Sequence, residues 1–307
     1  MTAFPDAKER RLLTLLTELR SVVVAYSGGV DSAYLAWAAT RALGSAALCV
    51  TAESPSYPDR HRQLALSVAR EFALRHEVIR TSELERPEYR ANPVNRCYYC
   101  KHELYTALSA LAAERGFDAI ADGSNADDRG DYRPGRQAAR EFGVRSPLDE
   151  VDLTKADIRA LSHRIGLPTW DEPASACLSS RIPYHSEVTD GKLRMIERAE
   201  AALRALGFRI CRVRHHDVLE ERRSGVPGDR EERRAGVPGD REERRAGVPG
   251  DRARVEIGSD ELSRALEPSM RARITRDLIA LGYEEVTVDP KGYRMGSLNE
   301  GLRLRPV

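Results

Sequence analysis

The residues best suited to chemistry form a short polar loop, SGGVDS at residues 27–32, which follows an apolar run and precedes a helical pattern. Adjacent glycines let a backbone approach an anion, serine hydroxyls donate hydrogen bonds, and a helix N-terminus offers free N–H groups. The loop therefore predicts a polyphosphate site, with a tight strand-to-helix turn as the plainer alternative. Because a carboxylate repels phosphate, Asp31 is expected to bind Mg²⁺ or to be an ordinary first-turn acid. The spacing matches neither the GxxxxGK[ST] nor the GxGxxG pattern.

Three of the five cysteines stand in polar segments: Cys97 and Cys100 in NRCYYCK, and Cys177 in ASACLSSRIPY. Two thiols at CxxC spacing share one turn, so the pair can be redox-active, metal-binding or incidental. A zinc site needs four ligands, and neither a second cysteine pair nor an HxxxH pattern completes one, although an unrecognised histidine could. Three cysteines with an open fourth position instead suit an iron–sulfur cluster that holds an exchangeable sulfur.

The surroundings of the cysteines differ along the chain. Cys177 lies close to Arg181, and a nearby cation favours the thiolate, which is the reactive nucleophile. A buried structural thiol is the alternative for this residue. Cys49 and Cys211 lie in apolar predicted strands, and we expect both to be core residues.

A basic strand lies further along the chain, in the segment ICRVRHH at residues 210–216. Strand alternation places Arg212, Arg214 and His216 on one face. Two guanidinium groups at this spacing can fork onto one phosphate, so the face predicts a phosphate site. A solvated basic face is the alternative.

The elements that must position these residues follow two patterns. Before residue 185, short apolar runs alternate with helical stretches, which predicts a parallel α/β sheet covered on both faces, with its ligand at the carboxyl ends of the strands. The predicted strands are 21–26, 46–53, 76–80 and 118–124, and the predicted helices are 6–20, 33–43, 58–74 and 101–115. Beyond residue 185 the pattern is α+β, so we predict domains at 1–185 and 186–307.

One repeat interrupts the second domain, with a period of 11 residues over 222–252. Each unit carries the helix-ending sequence GVPG and a single valine as its apolar residue, so the segment can neither form a long helix nor bury a core. We predict a mobile loop between two strands, with a partner-binding arm as the minority alternative.

Composition bounds the classes of protein that remain. The chain has 307 residues, and its 49 Lys and Arg against 48 Asp and Glu argue against a generally basic nucleic-acid binder. No stretch reaches the roughly 18 apolar residues of a membrane helix. The N-terminal segment lacks the apolar core of a signal peptide. We therefore expect a cytoplasmic protein without a membrane or nucleic-acid partner.

The loop at 27–32 resembles the pyrophosphate (PP) loop of the ATP pyrophosphatases, which adenylylate a carboxylate or carbonyl and release pyrophosphate. The segment DGSNADD at 122–128 resembles the second loop of that superfamily, with an Asn/Asp-rich turn as the alternative. The resemblance implies that these loops bind ATP and that Thr51 lies near the adenine. The implied ATP ligands are Ala25, Ser27, Gly28, Gly29, Asp31, Ser32, Thr51, Gly123 and Asn125.

Six motifs taken in order along nearly the whole chain, outside 222–252, resemble the ATP-dependent sulfur transferases of the LarE type. They are SGGVDS, NPVNRCYYCK, DGSNADDRGDYRPG, ACLSSRIPY, RVRHH and GYRMGSLN. That family adenylylates a carboxylate of pyridinium-3,5-biscarboxylic acid mononucleotide and replaces oxygen with sulfur on the way to the nickel-pincer nucleotide cofactor. The resemblance implies that Cys177 carries the sulfur, and that ATP and Mg²⁺ are required.

Members of this family differ in the source of the sulfur. Some lack CxxC and give up the sulfur of the cysteine itself, which leaves dehydroalanine, whereas others carry three cysteines and use a cluster-bound sulfur. This sequence resembles the second kind, which implies a 4Fe–4S cluster on Cys97, Cys100 and Cys177. The resemblance also implies that Arg181, Arg212 and Arg214 bind the mononucleotide, and that the protein forms homo-oligomers.

Three other functions fit parts of the pattern. A tRNA thiolase of the PP-loop class also pairs this loop with cysteines, but it needs a broad basic surface. An ammonia-dependent synthetase of the NAD or GMP synthetase type would have no use for the three cysteines. A non-catalytic ATP sensor would bind ATP without releasing pyrophosphate.

Overall fold

The computed structural model describes four stretches of the chain, residues 4–130, 133–173, 176–217 and 250–294. These residues form two compact units. The first unit contains residues 4–89 and 95–177, and the second contains residues 90–94 and those from 178 onward. The division by contacts thus falls after residue 177. The functional domains at 1–185 and 186–307, and the role of the second in substrate binding or oligomerisation, stay predictions.

The first unit is built on a sheet of four parallel strands in the order β3-β2-β1-β4. Every neighbouring pair is parallel, which confirms the predicted α/β fold. Because parallel strands end at one edge, the loops that follow them meet there. The strands are β1 (Val22–Ala25), β2 (Ala47–Glu53), β3 (His76–Arg80) and β4 (Ala119–Ala121).

Helices cover both faces of this sheet. Side chains of successive β1 residues point to opposite faces, and Val22 and Val24 belong to one apolar cluster while Val23 belongs to the other. Both faces are therefore buried, which explains the unbroken apolar run of the strand. The helices are α1 (Phe4–Glu18), α2 (Val30–Leu43), α3 (Asp59–Glu71), α4 (Pro87–Arg90), α5 (Arg96–Arg115), α6 (Gly135–Glu141), α7 (Pro147–Glu150) and α8 (Lys155–Arg164).

The second unit contains a smaller mixed sheet in the order β5-β6-β7. The first pair of strands is antiparallel and the second pair is parallel. One face carries its own core, in which Val213 and Val255 pack with Phe208. The elements are α9 (Asp190–Ala205), β5 (Cys211–Asp217), β6 (Asp251–Ile257), α10 (Ser259–Leu266), α11 (Pro268–Ile279) and β7 (Glu285–Val288).

Several element boundaries differ from the predicted ones. The helix predicted from residue 101 begins at Arg96, so the CxxC pair lies within its first turns rather than before it. The repeat predicted as a loop falls mostly outside the described residues, and its last two residues, Asp251 and Arg252, already belong to β6. Cys49 and Cys211 are buried in the two cores, as predicted.

A search of the described helices for one that could cross a bilayer finds none of sufficient length and apolar character.

Candidate functional site

The polar loop at 27–32 joins the carboxyl end of β1 to the N-terminus of α2. Gly28 adopts φ +68°, and a Cβ atom there would lie 2.7 Å from the Cβ of Ala65 and 2.9 Å from its Cα. Only glycine satisfies both the left-handed backbone and this approach of α3. The loop is thereby pressed against α3, which fixes its path.

Two serines tie the ends of this loop together. The Ser27 and Ser32 hydroxyls lie 3.1 Å apart, and the Ser27 N–H donates to the Ser32 hydroxyl at 3.2 Å. Gly29 precedes α2 and contributes no side-chain cap. Because the first N–H groups of a helix have no acceptor within it, those at the start of α2 are suited to an anion. The predicted phosphate residues therefore share one loop.

Asp31 lies in the first turn of α2 and forms an ion pair with Lys155, the first residue of α8. Its Oδ1 atom is buried and has no hydrogen-bond partner among the described residues. Burial raises the pKa of the Asp31 carboxyl, while the adjacent Lys155 opposes that rise. The carboxylate therefore has one oxygen held by a cation and one oxygen unsatisfied, as a cation-binding group would.

The second predicted loop, at 122–128, packs directly against the first. A Cβ atom at Gly123 would lie 3.0 Å from the Ser32 backbone nitrogen, so only glycine allows this approach without displacement. The loop is held by its own side chains: the buried Asp122 accepts from the Ser146 and Tyr105 hydroxyls at 2.8 and 2.9 Å. Asn125 is likewise buried and accepts the N–H of Asp127 at 3.0 Å. The structure thus brings the two nucleotide loops together.

Two further residues of the predicted ATP set lie on neighbouring strands. Thr51 is buried in β2, where its hydroxyl donates to the Tyr26 carbonyl at 2.8 Å and lies 2.8 Å from His76 Nε2. This side chain therefore braces the end of β1, and its role near adenine stays a prediction. Ala25 is the last residue of β1 and pairs with Val50.

The three polar-segment cysteines all belong to the first unit, although Cys177 is far from the other two in sequence. Cys97 is exposed, whereas Cys100 and Cys177 are half-buried. All five cysteines of the chain are free of disulfides. Cys97 and Cys100 face the same side of α5, because they are three residues apart on a helix.

The three thiols influence one another electrostatically. Desolvation by the surrounding protein raises the pKa of the half-buried Cys100, and it raises the pKa of the Cys97 thiol as well, although that residue as a whole is exposed; a thiolate at Cys177 raises both further. The nearby Glu83 carboxylate also raises the pKa of Cys100. Glu83 is buried and accepts hydrogen bonds from Ser54 and Ser56 at 2.6 and 2.5 Å. A helix N-terminus stabilises a thiolate and so lowers the pKa of a cysteine, but for Cys97 and Cys100 desolvation is the larger effect and the pKa rises.

Among the described residues, no three His, Cys, Asp or Glu side chains surround a position for a single metal ion. The three cysteines therefore influence one another electrostatically, but they do not form a binding site for a single metal ion.

The predicted substrate arginines lie in the second unit, and each already contacts other groups there. Arg181 is 1% exposed, and its guanidinium binds the buried Glu200 through Nε at 2.8 Å and Nη2 at 3.2 Å. Burial alone raises the pKa of the Glu200 carboxyl, but Arg181 holds that pKa below its usual range. This paired guanidinium ties α9 to the segment that follows Cys177.

Arg212 and Arg214 lie on one face of β5, and Cys211 and Val213 on the other face join the core. Arg214 is buried, where it donates to Glu256 Oε2 at 2.8 Å and to the Ser180 carbonyl at 2.7 Å. Arg212 is half-buried with its guanidinium 5.3 Å from the centre of the Tyr293 ring. Burial and the charge of Arg181 lower the pKa of Arg212.

Some residues of these sites were missed in the sequence. Lys155, Glu200 and Glu256 all neutralise predicted site residues, yet they stand in ordinary helical or strand patterns. One signal was available for Glu256. Strand alternation puts Arg254 and Glu256 on the same face of β6, and in the sheet Arg254 lies opposite Arg214 and Glu256 opposite Arg212.

A parallel sheet whose first strand ends in a glycine-bearing anion loop, beside a second loop from β4, defines an α/β protein of the PP-loop type. The chain is 32% identical over 296 residues to the pyridinium-3,5-bisthiocarboxylic acid mononucleotide synthase of Lactiplantibacillus plantarum. The aligned region covers 96% of this chain and 95% of that protein. The chain therefore belongs to the LarE-type sulfur transferases and is an enzyme.

Two uncharacterised proteins are also similar. One, from Synechocystis, is 37% identical over 297 residues, with 97% of this chain and 98% of that protein covered. The other, from Methanocaldococcus jannaschii, is 28% identical over 200 residues, with 65% and 76% covered. No protein-family model matches the chain.

Proposed function

We propose that this enzyme uses Mg-ATP to adenylylate a carboxylate of pyridinium-3,5-biscarboxylic acid mononucleotide and then converts it to a thiocarboxylate, in biosynthesis of the nickel-pincer nucleotide cofactor. The observation that carries the proposal is the similarity to the bisthiocarboxylate synthase over 96% of the chain. The joined PP-loop and second loop, and the three neighbouring thiols in the same unit, support it.

The first step needs positioning rather than a base. A carboxylate oxygen of the substrate attacks the α-phosphorus, the bond from that phosphorus to the bridging oxygen breaks, and pyrophosphate leaves with the electron pair. The loop at 27–32 and the first N–H groups of α2 orient the phosphates for this attack. A Mg²⁺ ion held by Asp31 would neutralise phosphate charge, and the unsatisfied Oδ1 of Asp31 fits that role.

The second step delivers sulfur to the activated acyl group. A nucleophilic sulfur held by the enzyme attacks the acyl carbon, and the carbon–oxygen bond to AMP breaks. The bond that held this sulfur must then break to leave the thiocarboxylate: this would be the bond to the cluster if a cluster supplies sulfide, or the Cβ–Sγ bond of Cys177, with loss of its Cα proton, if the cysteine gives up its own sulfur. AMP leaves with the oxygen that the carboxylate contributed. Arg212 and Arg214 would hold the substrate phosphate, and Arg181 would order the segment beside Cys177.

We propose a 4Fe–4S cluster on the cysteine trio, because three thiols that influence one another and leave a fourth position open suit such a cluster. Cys97, Cys100 and Cys177 would bind it, and it would supply an exchangeable sulfide at the fourth iron. We propose further that the enzyme is a cytoplasmic homo-oligomer that acts on this small molecule rather than on nucleic acid or a membrane.

The adenylylation step is tested with substrate whose carboxylates carry oxygen-18. The proposal requires pyrophosphate release that depends on the substrate, and one labelled oxygen in the AMP that forms. Unlabelled AMP, or pyrophosphate release without substrate, would contradict it.

The cluster is tested by anaerobic purification and analysis of iron and sulfide. The wild type and Cys211→Ala, which changes a core cysteine, should contain both elements, whereas Cys97→Ala should have lost most of them. An iron-free wild type that still thiolates once per chain would reject the cluster, and loss of one H₂S from Cys177 would establish the single-turnover route.

A further inference from the structure

Glu83 is a buried acid held among hydroxyl groups. The residue is 1% exposed, and its Oε1 atom accepts hydrogen bonds from the Ser54 and Ser56 hydroxyls at 2.6 and 2.5 Å. The Thr81 hydroxyl donates to the other oxygen, Oε2, at 3.2 Å. None of the ion pairs among the described residues includes Glu83. Three hydroxyl groups, rather than a cation, therefore compensate the charge of this carboxylate.

The turn that carries Glu83 is bound to α5 at both of its ends. Before the turn, the Ser82 N–H donates to Glu103 Oε1 at 2.5 Å. After it, Arg86 Nη1 donates to His102 Nδ1 at 3.3 Å. Both α5 partners lie within one helical turn of the CxxC pair, so these contacts fix the turn beside that pair.

The charge of Glu83 acts on the sulfur site through space. Desolvation is the first cause of the raised pKa of Cys100, and the Glu83 carboxylate is the second, ahead of the other two thiols. At Cys97 the first charge after desolvation is instead the cation Arg96, which lowers the pKa. The two cysteines of the CxxC pair therefore meet charges of opposite sign, and the anion acts on Cys100.

A buried anion makes a neighbouring iron–sulfur cluster harder to reduce. An added electron increases the negative charge of the cluster, and a fixed carboxylate in a region of low dielectric constant repels that charge. Conversion of an acyl-adenylate to a thiocarboxylate exchanges oxygen for sulfur and requires no electron. A residue that opposes reduction therefore preserves the oxidation state in which sulfur is transferred.

We propose that Glu83 is a positioning residue of the sulfur site that acts through its charge: the buried carboxylate lowers the reduction potential of a cluster on Cys97, Cys100 and Cys177, and so keeps that cluster oxidised during sulfur transfer. The inference rests on the proposed function, because it requires the cluster. The three hydroxyl groups hold the carboxylate in place without neutralising it.

The test is an anaerobic redox titration of the purified enzyme, in which EPR spectroscopy follows the reduced cluster. Glu83→Gln keeps the shape of the side chain but removes its charge. It should favour the reduced form by about tenfold, which is a rise of about 59 mV in the midpoint potential of a one-electron couple. Glu83→Asp keeps the charge and should stay closer to wild type than to Glu83→Gln, a rescue that a merely structural role would not give.

Glu85→Gln is the matched control, because it removes the same charge from the same turn at an exposed position. Solvent screens that charge, so the potential should equal that of wild type within the error of the titration. Ser54→Lys tests the charge without removing Glu83, in case Glu83→Gln does not fold. It places an ammonium beside the carboxylate at a half-buried position, and should likewise raise the potential.

A potential of Glu83→Gln equal to that of wild type, or an equal rise in Glu85→Gln, would overturn the inference. If Glu83→Gln does not fold, an unchanged potential in Ser54→Lys would overturn it. A wild type that contains no iron would instead reject the proposed cluster itself, so the two failures are distinguishable.

Discussion

Gly28 shows how one residue fixes the nucleotide loop. Its backbone is left-handed, and α3 approaches so closely that a methyl group has no room beside Ala65. The two requirements are independent, because the first concerns the backbone of the residue and the second its neighbour. A substitution there must therefore change both the loop and the packing of α3.

Gly28→Ala should lower the free energy of unfolding by about 2 kcal/mol or more and abolish binding of the ATP analogue α,β-methylene-ATP, because strain and overlap add. Chemical denaturation and calorimetry measure the two effects. Gly116→Ala is the control: Gly116 also has positive φ, +72°, but no atom lies within 4 Å of its added Cβ. Gly116→Ala should lower the free energy of unfolding by about 1 kcal/mol and leave binding of the ATP analogue intact. Equal effects of the two substitutions would disprove the close-approach argument.

The ion pair of Arg181 and Glu200 acts at the scale of elements, since it joins α9 to the segment after Cys177. Both residues are buried, at 1% and 2% exposed, so removing one charge leaves the other without compensation. The Val213 N–H of β5 also donates to Glu200, at 3.3 Å. One carboxylate thus connects three parts of the second unit.

Glu200→Gln should therefore destabilise the protein by about 3 kcal/mol or more in chemical denaturation at neutral pH. Asp190→Asn, which removes an exposed ion pair with Arg194 on the same helix, should cost about 1 kcal/mol at most. Similar losses of unfolding free energy in the two variants would show that the buried ion pair stabilises the protein no more than the exposed one does.

The same carboxylate predicts a pH dependence. The pKa of Glu200 is lower in the folded protein than its usual value, so its contribution is present above that usual value, about 4.3, and is lost as the pH falls below it. The stability difference between wild type and Glu200→Gln should therefore shrink as the pH falls from about 5 through the lowered pKa of Glu200. Denaturation curves across this range measure it, and a constant difference would contradict the assignment.

Element types were readable from the sequence where a local pattern decides them. Strand 76–80 and the α/β alternation follow from apolar periodicity, and the loop at 27–32 follows from its glycines. The partners of the site residues were not readable, because Lys155 meets Asp31 through tertiary packing between distant segments. The start of α5 was missed although Asn95, a residue type preferred before the first turn of a helix, directly precedes Arg96.

At the scale of the whole molecule, the two compact units hold different parts of the proposed chemistry. The nucleotide loops and the cysteine trio belong to the first, and the basic face of β5 belongs to the second. The 11-residue repeat separates β5 from β6 in sequence, and those strands pair directly in an antiparallel ladder. Pairing of the two strands therefore needs only a short connection.

Deletion of residues 224–245 removes two units of the repeat and keeps its register. Because these units carry almost no apolar residues, sulfur transfer and the melting temperature should stay close to those of the full chain. Steady-state assays and thermal unfolding measure both, and a collapse in turnover would show that the repeat has a role in the reaction.

The proposed reaction depends most on transfer of sulfur through Cys177 to an adenylylated carboxylate. The direct measurement follows pyrophosphate and thiocarboxylate together, by a phosphate-coupled assay and mass spectrometry, in wild type and Cys177→Ala supplied with Mg-ATP and the pyridinium biscarboxylate mononucleotide. Wild type should form both products, whereas the variant should still release pyrophosphate but form no thiocarboxylate. Thiocarboxylate from Cys177→Ala at the wild-type rate would contradict the account.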